Sequence, residues 1–68
     1  MVIGKRLQKR RKELNLSRAQ LAEMVHVTAS AIANYENSIS YPKPDILISL
    51  ILALKIDANY LFEDYLKD

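Results

Sequence analysis

The side chains with the clearest chemical potential are cations. Lys5, Arg6, Lys9, Arg10, Arg11, Lys12 and Arg18 fall within the first eighteen residues, opposed there only by Glu13. The rest of the 68-residue chain holds three lysines against seven acids, so a net charge of +2 conceals a positive end and a negative end. Clustered guanidinium and ammonium groups attract polyanions and orient them before contact. The competing reading is a solvated charged helix face. Other chemistries find little material. No cysteine is present, and His26 is the only histidine, so a metal site has too few soft ligands. Glu63 and Asp64 are adjacent on a helix and point in different directions, and no glycine-rich phosphate loop occurs. The chain therefore reads as a non-enzyme with no catalytic residues, metal, cofactor or evident small-molecule ligand.

Those cations must be held by helices. Gly4, Pro42 and Pro44 are the only residues of their kinds, a scarcity that favours helices and short turns over strands. Ile3, Leu7 and Leu14 form one stripe of a first helix over 2–14. Asn15 suits the left-handed end of that helix, with Leu16 packing back. Second and third helices are expected over 18–25 and 28–37. Ser17 and Thr28 suit their N-caps, and His26 occupies the turn with positive φ. Leu21, Ala22 and Val25 mark one apolar stripe; Ile32 and Tyr35 begin another. This is a helix-turn-helix pattern, whose second helix is shaped for the DNA major groove.

A fourth helix is expected over 44–54, with Pro44 and Asp45 in its first turn. Asp57 caps a fifth over 58–66, with Ala58, Leu61, Phe62, Tyr65 and Leu66 at core spacing. The expected architecture is all-α, five helices in a single domain spanning 1–68. Half of the residues are hydrophobic, enough for a core. A domain this short buries only about 60% of its unfolded surface. No apolar run approaches a membrane span of ~20 residues, and a cytoplasmic location is expected.

Three segments together resemble the XRE, or lambda-repressor-like, helix-turn-helix family. They are Ile3-Gly4-Lys5-Arg6 through Asn15-Leu16-Ser17, Arg18 through Val27, and Ile32-Ala33-Asn34-Tyr35-Glu36-Asn37-Ser38. Pro42, Leu47 and Tyr60-Leu61-Phe62 also fall where the family has similar residues. In the chain's departures, Arg18 stands where many members carry a glutamine that touches the DNA backbone. His26 and Ser38 replace glycines, and Arg10 replaces an apolar residue.

The resemblance implies a regulator of transcription, a repressor in the first instance, bound to double-stranded DNA. It directs Ala29, Ser30, Ala33 and Asn34 at base edges, with Thr28 at the rim. Asn34 can pair with adenine N6 and N7, Ser30 can bond several edges, and alanine methyls can meet thymine methyls. Arg18 is expected on a phosphate. Asn37, Ser38, Ser40 and Lys43 flank a loop that donates to phosphates in the family. Arg11 and Glu36 resemble a pair joining the first helix to the third, with Arg11 also near a phosphate. The remaining first-helix cations divide between phosphates and solvent, without the sequence saying which.

The fourth helix is apolar nearly all round. At 100° per residue, Ile46, Leu47, Leu50, Ile51 and Leu54 share one side, and Ile48 and Leu52 lie opposite. Either Ile48 and Leu52, with Tyr60, form a homodimer contact on a pseudo-palindromic operator, or they pack against the fifth helix. A second functional class also stands: an antitoxin-like or adaptor module that uses the same fold, with its alanine-rich third helix, to bind protein.

Overall fold

In a computed structural model, which describes residues 2–66 without the side chains of Val2 and Asp64, five helices account for most of the chain. The expectation for Asp64 beside Glu63 thus lies outside the described residues. The helices are α1 (Val2–Glu13), α2 (Arg18–Val25), α3 (Ala29–Glu36), α4 (Pro44–Leu54) and α5 (Ala58–Leu66). No strand occurs among the described residues, and no helix among them is long and apolar enough to cross a membrane.

The helix starts follow local chemistry. Ser17 Oγ accepts from Gln20 N at 3.0 Å while Gln20 Oε1 accepts from Ser17 N at 2.8 Å, a reciprocal capping box. Thr28 Oγ1 accepts from Ala31 N and Asp57 Oδ1 from Tyr60 N. Thr28 and Asn37 therefore bracket α3 as caps, and the helix is shorter at both ends than the expected 28–37.

Four helices end the same way without a glycine. Asn15, His26, Ser38 and Lys55 have φ of 58°, 61°, 60° and 56°. After each, the next amide bonds back across the last turn: Leu16 to Arg11 O, Val27 to Ala22 O, Ile39 to Asn34 O and Ile56 to Ile51 O. These are Schellman motifs, in which an apolar residue after the left-handed one folds onto the helix. Leu16, Val27 and Ile56 do so, packing against the core. Ile39 is the exception, 70% exposed. A left-handed L-residue costs roughly 1–2 kcal/mol, partly offset by the larger unfolded entropy of a glycine. Lys55→Gly is thus expected to stabilise the domain by about 0.5–1 kcal/mol, raising Tm by a few degrees. Thermal unfolding beside a Lys55→Ala control checks this; equal Tm values for the two variants would refute it.

The core is aliphatic: Leu7, Leu21, Ala22, Val25, Ile32, Leu50, Leu54 and Leu61 are buried. α1 packs on α3, α4 and α5, and α2 packs on α3 and α4. Two apolar expectations need correction. Ala58, Tyr65 and Leu66 share the periodic stripe of α5 yet are exposed; only Leu61 is fully buried, with Phe62 partly so. Periodicity specifies a face of a helix, but burial also requires a neighbour along its whole length. On α4, Leu50 and Leu54 are buried, while Ile48 and Leu52 remain 59% and 73% exposed, so α5 does not cover them.

Candidate nucleic-acid interface

α3 turns Ile32 and Glu36 inward, one turn apart. Ser30, Ala33, Asn34 and the following Asn37 therefore fall on its outer side by helical geometry. Thr28, Ala29, Ser30 and Asn37 are exposed, Ala33 and Asn34 partly so. Thr28 Oγ1 is engaged in capping. The exposed side is made of methyls, one hydroxyl and two amides, small enough for close approach to a groove floor.

The angle of this helix is set at one carboxylate. Glu36 is fully buried by its side chain, and Arg11 of α1 clasps it, Nε to Oε2 at 2.6 Å and Nη2 to Oε1 at 3.1 Å. Arg11 Nη1 also donates to Leu16 O at 2.8 Å, closing the end of its own helix. Arg18, the first residue of α2, donates Nε to Glu36 Oε1 at 2.9 Å. Three helices thus meet at one anion. The family-implied phosphate contact by Arg11 loses its footing: its side chain is 9% exposed, and each of its three nitrogens bonds within the protein. Arg18 stays 37% exposed at the side chain.

Burial works against ionisation of Glu36, but hydrogen bonds and charge from Arg11 and then Arg18 outweigh it and hold the carboxyl below its ordinary 4.5. A depressed folded pKa means the unfolded chain takes up the proton first as pH falls. The stabilisation is complete above 4.5 and declines as pH drops below that value. The stability gap between wild type and Glu36→Gln should therefore narrow in acid. Urea unfolding across that window checks it, and a constant gap would contradict it.

Gly4 completes the junction. A Cβ there would stand 2.5 Å from Tyr35 O and 2.7 Å from Glu36 O, so only glycine lets α1 lie against the end of α3.

The remaining first-helix cations depart from the expected division between phosphates and solvent, because the two arginines among them bond within the protein. Arg6 pairs with Glu63 at 3.1 Å and lies 5.4 Å from the Tyr60 ring centroid, a cation–π stack. Arg10 donates Nε to Leu54 O at 2.9 Å, capping the C-terminus of α4, and reaches Glu13 at 3.3 Å. Lys5, Lys9 and Lys12 are exposed, and their spacing puts them on one stripe opposite Leu7 and Leu14. Tyr60 is partly buried beneath Arg6 and is not among the exposed apolar residues, so the apolar surface of α4 consists of Ile48 and Leu52 without it. Sequence reasoning missed Ile39 and Tyr41, 70% and 60% exposed in the loop after α3. Lys43 is exposed at the N-cap of α4.

A five-helix body with this helix-turn-helix belongs to the helix-turn-helix domain family, which matches residues 4–67, and within it to the XRE, lambda-repressor-like type. Among particular relatives, the chain is similar to Repressor protein C2 of Salmonella phage P22, 36% identical over 62 residues, covering 91% of this chain and 29% of that protein. It is also similar to the uncharacterized HTH-type transcriptional regulator y4wC of Sinorhizobium fredii, 33% identical over 64 residues, 94% of this chain and 45% of that protein. The chain thus spans less than half the length of these curated relatives. The crystal structure of the P22 c2 repressor in complex with synthetic operator 9T superposes with a TM-score of 0.85 at 36% identity, covering 90% of this chain and 92% of that one.

Proposed function

We propose that this chain is the operator-binding unit of a transcriptional repressor that acts in the cytoplasm, with α3 in the major groove of double-stranded DNA. The observation that carries the reading is the 0.85 likeness to an operator-bound repressor over 90% of the chain. In this reading Ala29, Ser30, Ala33 and Asn34 face base edges, with Thr28 at the rim. No Arg or Lys lies on α3, so the commonest guanine contact is missing and an A·T-weighted preference follows. Arg18, Asn37 and Lys43 contact phosphates, Arg11 and Glu36 hold α3 at its angle, and no reaction is catalysed. With few base contacts, specificity leans on DNA shape and on the pairing of two half-sites.

The test is selection from a random duplex pool followed by titration across a salt series. A regulator selects a discrete site, and log affinity falls steeply with log salt. Weak binding with no selected sequence would refute the reading and favour a protein-binding module.

The reading includes a symmetric homodimer joined through Ile48 and Leu52, whose exposure on one side of α4 supports it. Two copies then place α3 in successive major grooves about 34 Å apart on a pseudo-palindrome. Leu52→Glu is expected to abolish self-association while leaving the helical content intact. Sedimentation equilibrium checks this, and an unchanged association constant would remove Leu52 from the interface.

A further inference from the structure

Arg18 occupies a divided position. Its Nε edge lies on Glu36, yet neither Nη1 nor Nη2 has a protein partner among the described residues. The carboxylate cannot swing out to solvent, because its side chain is fully buried and Arg11 clasps both its oxygens. Two guanidinium groups on one carboxylate leave a net positive charge at the start of α2, where the helix dipole and the first free amides also favour an anion.

We propose that Glu36 is a positioning residue for DNA binding: it grips one edge of Arg18 so that the other edge meets a backbone phosphate. This rests on the DNA-binding reading above. An arginine already fixed on its inner edge loses little rotamer freedom when its outer edge binds. Lysine cannot substitute, since a single ammonium offers no second edge. Glu36 thereby links the angle of α3 to the placement of a phosphate contact on α2.

The probe is a mixed-sequence duplex of about two helical turns, titrated by fluorescence anisotropy across a salt series. Arg18→Ala is expected to weaken binding about tenfold and to reduce the magnitude of the log–log salt slope by about 0.9, the loss of one neutralised phosphate. Arg18→Lys should keep the slope but bind more weakly than wild type. Glu36→Gln should weaken binding severalfold in the wild-type background and distinctly less in the Arg18→Ala background, where only its Arg11 contact is affected. An equal loss in both backgrounds, or tighter binding by Glu36→Gln, overturns the proposal.

Where Glu36→Gln does not fold, the wild-type protein answers the question by NMR. The Arg18 Nε–H resonance should be protected from exchange in the free protein and persist when duplex is added, while the Nη protons shift. Loss of the Nε–H signal on binding shows Arg18 leaving Glu36 for DNA and overturns the proposal. The failures are separable: a wild-type protein without salt-dependent duplex binding defeats the DNA reading itself. A wild type that binds with a slope unchanged by Arg18→Ala removes Arg18 from the phosphate contacts and defeats this inference, while the DNA reading stands.

Discussion

Glu36→Ala is expected to destabilise the domain by about 3–5 kcal/mol, the range seen when one partner of a buried ion pair is removed. The substitution leaves the Arg11 guanidinium buried without its counter-charge, retaining only its bond to Leu16 O. A native domain holds roughly 0.05–0.15 kcal/mol per residue, so the loss would remove about a third or more of the stability of a 68-residue chain. The order of effects is part of the expectation. Arg11→Ala should cost less than Glu36→Ala, because Arg18 still faces the carboxylate. Arg18→Ala should cost least, because its side chain is 37% exposed. Urea unfolding followed by circular dichroism measures all three. A Glu36→Ala loss under about 1 kcal/mol would show that the pair contributes angle and not stability. Joint replacement of Arg11 and Glu36 by apolar residues of similar volume should recover much of the loss, because no orphan charge remains.

Gly4→Ala is the second substitution with a large expected effect, and its sign is the informative part. Inside a helix, alanine is favoured over glycine by about 1 kcal/mol. Here the added methyl would enter the space held by the carbonyls of Tyr35 and Glu36, closer than a real Cβ approaches an oxygen. These are backbone atoms at the last turn of α3, so neither can rotate away as a side chain would. Overpacking of this kind costs about 1–3 kcal/mol, which reverses the propensity gain. The strain is relieved by moving α1 off α3, which lengthens the Arg11–Glu36 contact. Gly4→Ala should therefore lower Tm and shift the amide resonances of residues 33–37. A rise in Tm would show that the helices separate freely at this point.

The sequence pattern marks the helix ends well because each is encoded within one turn. Ser17, Thr28 and Asp57 accept from amides three residues on. Asn15 and His26 take the left-handed conformation that closes the preceding helix. Ser38 and Lys55 do the same, and Lys55 carried no comparable signal, since lysine has no special preference for positive φ. Gly4 offered a faint signal: a glycine in the interior of an otherwise good helix invites the question of what lies against it. Its answer requires the position of α3.

By itself the sequence determined the number of the helices, their limits to within a residue, and the aliphatic stripes of α1 to α4 that form the core. These follow from a periodicity of 3.6 residues and from bonds spanning a single turn. Apart from Arg11, whose pairing with Glu36 the family resemblance implies, the tertiary structure alone decided the fate of the N-terminal cations. Six cations with similar sequence signatures take different roles: Arg10 on a carbonyl 44 residues away, Arg18 on a carboxylate 18 away, Arg6 against Tyr60 and Glu63, and the three lysines toward solvent. It also decided that Tyr65 and Leu66 stay exposed on the stripe that buries Leu61. The physical reason is common to both outcomes. A long side chain's partner, and the cover over an apolar stripe, depend on where separate helices dock. That docking is set by packing across the whole core, not by neighbours in the chain.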